Sequence, residues 1–274
     1  MKQRPKKSRL GIVGCGAIGS RIALSVLKEL AGHFMVSALY DVDTDKAVSL
    51  SKNFKNRKIV KASLEELLAA SDVVVESVNT AAAADVVTRA LKADKDVLAM
   101  SVGRLFGKNS LFLLARRSRG RLILPSGALA GLDAVKAARL GGLRRVTLTT
   151  RKPPAGFKGN AFLAGRHIDL NAIRQDTLLF QGNVRDAVAK FPQNINVAAA
   201  LAIAAEGVPV QVRIIASPSL SRNTHEVFAE GKAGTVRAVT ENVPCPDNPK
   251  TSYLAVLSGI QALKQIVDPV RVGT

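Results

Sequence analysis

Tryptophan is absent from this 274-residue chain, and aromatic residues of every kind make up only 4% of it. There are two cysteines, three histidines, and 21 acidic residues against 40 Lys and Arg. Each shortage narrows the possibilities. Cys15 and Cys245 are too few and too oddly spaced for a disulfide framework or a zinc cluster, so no metal centre is expected. No run approaches the ~18 uninterrupted apolar residues that a membrane span needs. The basic start followed by an apolar stretch lacks the cleavage site of a secretory leader. These features predict a cytoplasmic protein with no membrane partner. The hydrophobic content of 47% must then form an aliphatic core, and the length is enough for two modest domains.

The acid deficit leaves a formal net charge of +19. Lys2, Arg4, Lys6, Lys7 and Arg9 crowd the start, where the first eight residues read as a frayed arm. Arg116, Arg117, Arg119 and Arg121 form a second cluster. A basic face can grip nucleic acid, steer anionic small molecules, or simply be solvated. No aromatic residue is interleaved with either cluster and no nucleic-acid-binding signature accompanies them, so steering or solvation is the expectation.

What the chain does have is a glycine turn. Leu10, Ile12 and Val13 make a short buried strand that runs into Gly14-Cys15-Gly16-Ala17-Ile18-Gly19, with a helix expected over 20–30. In this G-x-G-x-x-G pattern Gly14 serves the tight turn, Gly16 admits a pyrophosphate to the backbone, and Gly19 brings helix and strand together. Gly14, Gly16, Ala17, Ile18 and Gly19 are therefore candidate dinucleotide contacts, the phosphates resting on the positive end of the helix. A second strand, 34–40, ends at Asp41, 22 positions beyond Gly19. A carboxylate there accepts the ribose hydroxyls and repels a 2′-phosphate. NAD is the expected cofactor, with NADP open because Lys and Arg are plentiful.

Further strands are predicted at 59–60, 72–78, 97–101 and 121–124, separated by helices at 63 onward, 81–93 and 111–117. Ser63-Leu64-Glu65-Glu66 has the form of a capping box. This alternation predicts a doubly wound parallel sheet, a Rossmann domain over 1–124. Glu76 and Asn79 fall where such sheets open their ligand crevice, although a strand-ending Asn before Thr80 is equally a structural choice. After Pro125 the pattern turns to α+β. A helix at 131–140 leads to a half-exposed strand at 144–150 and a basic loop from Arg151 to Pro154. Helices at 184–190 and 195–205 and strands at 210–215, 224–229 and 235–239 follow. The expectation is an α/β fold whose 125–249 region is a substrate and dimerisation domain with an open sheet. The C-terminal helix, within 250–274, is expected to return to the nucleotide domain.

Several segments together resemble the L-aspartate dehydrogenases. They are GIVGCGAIG (11–19), LPSGALAGLDA (124–134), TLTTRKPP (147–154), FQGNVRDAVAKFPQNINVAAALAIAA (180–205), NTHEV (223–227) and NPKTSYLAVLSGIQAL (248–263). The glycine motif is generic; the other segments, in this order, are much more specific. The resemblance implies that Ala128 and an asparagine of the FPxNxN segment contact the dinucleotide. That asparagine is Asn194, with Asn196 its rival. Asn194 also directly precedes a helix and reads equally as its N-cap.

His225 matches the family's active-site histidine, while His33 and His167 lie in unremarkable loops. Oxidising an amino acid first removes a proton from its ammonium, which calls for a base titrating near neutrality. His225 is the candidate. The two carboxylates of aspartate need cations, and Arg151 and Lys152 are candidates unless they serve surface or dimer contacts. The resemblance thus implies NAD(P)-dependent oxidation of L-aspartate to iminoaspartate, hydrolysing to oxaloacetate and ammonia and supplying pyridine nucleotide synthesis, while the mixed C-terminal domain points to a homodimer. Two alternatives stand beside it: a reductase of another dicarboxylate, similar to dihydrodipicolinate reductase, and a non-catalytic NAD sensor that grips DNA.

Overall fold

The computed structural model describes residues 7–273 apart from 79, 192–194 and 247. The chain forms two compact units, one comprising the residues up to Pro125 together with Val256–Arg271, the other Ser126–Ala255 together with the residues from Val272 onward.

The first unit is built on five parallel strands: β1 (Ser8–Val13), β2 (Phe34–Tyr40), β3 (Val73–Glu76), β4 (Asp96–Ala99) and β5 (Leu122–Ile123). Their order in the sheet is β2-β1-β3-β4-β5. The chain leaves β1 toward one edge, returns to its other side as β3, and so creates a switch point between β1 and β3. Register pairs Val13 with Glu76 there, at the carboxyl ends of both strands. All four residues of β3 are buried, as expected for a strand covered on both faces.

Three expectations need correction. Ser8 is not part of a frayed arm: it opens β1, its amide bonded to the His33 carbonyl at 2.8 Å. The strand expected at 59–60 is only a residue of one. Arg57–Ile59 is a 3-10 turn whose first amides are taken by Asn56, leaving Val60 as a single parallel bridge to Leu39. The first helix runs Ala17–Ser25 and not 20–30. It starts earlier because Gly16 already serves as its N-cap. It stops earlier because the Ser25 hydroxyl bonds back to the Ile22 carbonyl at 2.7 Å, and the amides of Leu27 and Lys28 form three-residue turns instead.

The core of this unit is aliphatic, with Val74, Val87, Leu91, Leu98 and Leu105 fully excluded from water. The helix Tyr253–Val267 is also part of it from Val256 onward. Gly259 makes that packing possible, because a Cβ there would lie 2.7 Å from the Met100 sulfur and 3.3 Å from Ile22 Cδ1. Of the two basic clusters, Arg9 pairs with Asp72 at 2.7 Å and Arg121 with Asp96 at 2.6 Å, each tying a strand end to its neighbour.

The second unit is a mixed five-stranded sheet. Its strands are β6 (Leu143–Lys152), β7 (Thr177–Asn183), β8 (Val210–Ala216), β9 (Asn223–Gly231) and β10 (Gly234–Asn242), in the order β10-β9-β6-β8-β7. β6 is central, parallel to β8 and antiparallel to β9. It runs through Arg151 and Lys152, which sequence reading assigned to a loop because Pro153-Pro154 follows. β7 was not anticipated at all.

The helices Leu132–Leu140, Val184–Lys190 and Ile195–Ala205 pack on these strands. The side chains that alternate onto the covered face include Val146, Leu148, Val212, Ile214, Val227 and Ala229, all buried. The other face carries Arg145, Arg213, Glu226 and Arg237 around a shallow cavity of about 450 Å³. A short hairpin, Pro244–Cys245 with Asn248–Ser252, closes the unit. Among the described residues no helix is long and apolar enough to cross a membrane.

Candidate active site

The three glycines of the first turn do three different things. Gly14 has φ +90°, and a Cβ on it would lie 2.8 Å from the Ser77 backbone, so both conformation and space demand glycine. Gly19 allows no Cβ because one would collide with the Gly14 carbonyl oxygen. Gly16, by contrast, would direct a Cβ into open space. Open space above the N-cap of a nine-residue helix is where a pyrophosphate can meet backbone amides. No acidic residue occupies the first helical turn. The Ser20 amide is bonded back to Gly16, so those of Ala17, Ile18 and Gly19 precede the helix ladder. These residues fit a dinucleotide.

Asp41 stands at the end of β2 beside this turn. Its Oδ2 accepts from the Cys15 amide at 2.7 Å and its Oδ1 from the Asp43 amide at 2.9 Å. One carboxylate thus braces the phosphate turn while keeping lone pairs for ribose hydroxyls. Burial, with the Asp41 charge beside it, pushes the Cys15 thiol up to about 12, so it is an inert filler.

Glu76 is fully buried. Its carboxylate accepts from the Val78 amide at 2.9 Å and from the Ser101 hydroxyl at 2.8 Å. Ser77 in turn donates to the Gly14 carbonyl at 2.8 Å. Glu76 therefore shapes the Ser77-Val78 turn that abuts the glycine loop, rather than lining a ligand. Asn79 lies outside the described residues.

The second unit gathers a polar cluster on the covered face of its sheet. Register sets Thr150 of β6 and Thr240 of β10 on either side of His225 in β9. A hydrogen bond of 3.0 Å joins Thr150 Oγ1 to His225 Nδ1, both side chains buried. Lys152, two residues beyond Thr150, alternates onto the same face and stands diagonal to His225, within reach of a long side chain.

Burial, and then the Lys152 charge, push the His225 imidazole down to about 3. Burial alone pushes the Lys152 ammonium down to about 8. This corrects the expectation of a histidine titrating near neutrality: in this surrounding the imidazole is neutral, and the lysine is the near-neutral group. Arg151 is corrected as well. It alternates to the opposite face, where it pairs with Glu226 at 3.2 Å and approaches Asp176 at 3.9 Å. The structure does not bring it together with His225.

Ala128 is buried, and its carbonyl is held by the Thr240 hydroxyl at 2.7 Å and the Asn242 amide at 3.3 Å. Ser252 donates to the other end of the Asn242 side chain at 2.7 Å. The 126–129 turn is thus fastened to the strand next to His225. Asn194 lies outside the described residues, and Asn196 sits in the first turn of helix Ile195–Ala205.

Sequence reading missed Thr150, Thr240 and Asn242 as parts of this site. The available signal was alternation: Thr150 and Lys152 are two apart in one strand, as are Thr240 and Asn242. It also missed Ser217, wholly buried just after β8, whose amide donates to the Lys152 carbonyl at 2.8 Å. The Ser217 hydroxyl meets no partner among the described residues.

A glycine turn at the switch point of a parallel sheet, with a buried histidine on a separate mixed sheet, defines an NAD-binding oxidoreductase of two units. Known proteins agree and narrow the class. Residues 14–125 match the family model described as homoserine dehydrogenase, NAD binding domain, and 133–266 match the one described as aspartate dehydrogenase, C-terminal. The chain is 42% identical over 271 residues to the L-aspartate dehydrogenase of Methanosarcina mazei, covering 97% of this chain and 99% of that one. It is 41% identical over 270 residues to that of Methanococcus maripaludis, with the same coverage. The chain belongs to the L-aspartate dehydrogenase family. Its fold matches the crystal structure of an aspartate dehydrogenase from Thermotoga maritima with a TM-score of 0.73, at 22% identity over 98% of this chain and 100% of that one.

Proposed function

We infer that this chain oxidises L-aspartate to iminoaspartate, which water converts to oxaloacetate and ammonia. The observation that carries the reading is the buried Thr150–His225 pair with Lys152 on the same face, within a chain 42% identical to L-aspartate dehydrogenases along nearly its whole length. NAD, when bound, supplies the hydride acceptor. The amides of Ala17, Ile18 and Gly19 would hold its diphosphate and Asp41 its adenosine ribose. Ala128 and Asn194, with Asn196, would meet its other half.

His225 is the residue assigned to the amine. In the tautomer whose Nδ1–H donates to Thr150, its Nε2 is left to accept from the substrate nitrogen and fix its orientation. The product imine is consistent with a supply role in pyridine nucleotide synthesis.

A homodimer is part of the same reading. The helices of the second unit cover one face of its sheet, and the other face presents Leu178, 49% exposed, and Val239, 50% exposed, beside ion-paired arginines. Apolar residues rimmed by charge suit a second copy.

The test is NADH formation, followed at 340 nm with a panel of amino and hydroxy acids. Turnover of L-aspartate well above every other substrate is expected. Turnover of a different dicarboxylate, or of none, would reject the reading. DNA affinity that stays weak at low salt disposes of the regulator alternative. Asp41 offers a second prediction. Asp41→Ala removes both the ribose acceptor and the brace on the Cys15 amide, so NAD affinity should fall by about 10-fold or more. Discrimination against NADP should shrink in the same variant, as read from KM for each coenzyme.

A further inference from the structure

We propose that Lys152 takes up the proton that leaves the substrate ammonium, while His225 holds the nitrogen as a neutral hydrogen-bond partner. The proposal rests on the aspartate dehydrogenase reading above and adds to it a second residue with a distinct task.

Geometry comes first. Lys152 ends the central strand, alternates onto the face that holds Thr150 and His225, and is half-buried. Its stem runs beside Gly156, where even an added Cβ would lie 3.5 Å from Lys152 Cβ, and its carbonyl is anchored by the Ser217 amide. The charged groups nearby separate cleanly by face. On the covered face beside Thr150, the described residues of β6, β8, β9 and the Pro154–Phe157 turn contribute Lys152 and His225 as titratable groups; Arg144 and Glu230 pair with each other toward the other end of β6 and β9, and Lys190, on the helix packed over β7 and β8, lies against the Phe180 ring. Arg145, Arg151, Arg213, Glu226 and Arg237 belong to the opposite face.

The chemistry then assigns the roles. The ammonium nitrogen needs a free lone pair before a C=N bond can form, so one proton must leave. In the step proposed, the neutral Lys152 amine forms an N–H bond as the substrate N–H bond breaks, giving a Lys152 ammonium and a neutral substrate amine. No other atom changes hands. A neutral imidazole that resists protonation down to about 3 is a poor sink for that proton. A lysine whose ammonium is destabilised by burial until it titrates at about 8 is matched to it.

This predicts an acid limb in kcat/KM for aspartate, with a midpoint near 8, because only the deprotonated lysine is competent. Lys152→Met should remove that limb and lower kcat by about 100-fold or more, with KM changed less. Lys152→Arg should be as poor as Met, since a guanidinium stays charged. Small primary amines should partly restore Lys152→Ala.

Independently of turnover, the Cε resonance of Lys152 in 13C-lysine-labelled protein without NAD should titrate near 8. The assignment is overturned if Lys152→Arg keeps more than about a third of wild-type kcat, the signature of a carboxylate clamp. It is equally overturned if the limb survives in the Met variant, or if the resonance titrates near the ordinary lysine value of about 10.4. A wild-type protein inactive on aspartate while the resonance titrates near 8 would instead reject the substrate reading and leave the lysine's character standing.

Discussion

His225→Ala is expected to lower turnover of aspartate by at least ~100-fold while leaving NAD affinity nearly unchanged. The separation of the two effects follows from where the residues stand. The glycine turn, Asp41 and Glu76 belong to the unit built on β1–β5, and His225 to the sheet built on β6–β10. Stopped-flow turnover and a fluorescence titration with NADH read them apart. An alanine variant that keeps more than about a tenth of wild-type kcat removes His225 from the chemistry.

Acid titration supplies an independent check on its burial. An unfolded histidine takes a proton near pH 6.5, whereas the native one resists until about 3. Between those values the unfolded state binds the proton that the native state refuses. The stability linked to His225 is therefore fully present above pH 6.5 and falls by about 1.4 kcal/mol per pH unit as the pH drops toward 3. Urea unfolding of wild type and His225→Ala at pH 7 and pH 5 should show that slope only where the imidazole is present.

Much of the first unit is written in local pattern. A strand, three glycines with fixed spacing and a carboxylate after the next strand determine a phosphate turn almost without tertiary help. The structure adds what pattern does not carry, namely that Asp41 is bonded to the Cys15 amide of that same turn. Glu76 shows the limit from the other side. Its place at a switch point suggested a crevice residue, but Ser101 and the Val78 amide fold its carboxylate inward.

The second unit was harder to read because its decisive facts are cross-strand. Thr150 lies 75 positions from its partner His225, so no sequence window contains both. The pair Arg151-Lys152 looked like one basic feature in front of two prolines. In a strand, neighbours point to opposite faces, so one residue of the pair shares the face of His225 while the other meets Glu226. The strand β7 escaped notice because its covered-face signal is broken by a register shift between Leu178 and Phe180.

Two glycines three residues apart should respond to the same substitution in different ways. Gly16→Ala places its methyl in open space, so the fold has no reason to object and the melting temperature should hold within a degree or two. That space is where the diphosphate must approach the helix amides, so NAD affinity should drop by about 10-fold or more. Gly19→Ala has nowhere to put its methyl except against the Gly14 carbonyl and the Ser77 hydroxyl. The first helix must then shift from β1, and both melting temperature and NAD affinity should fall together. Thermal unfolding with and without NAD distinguishes the outcomes, since a ligand that binds only the native state raises the midpoint. If Gly16→Ala retains wild-type NAD affinity, the diphosphate does not rest on this turn. The dinucleotide would then have to be sought elsewhere on the first unit.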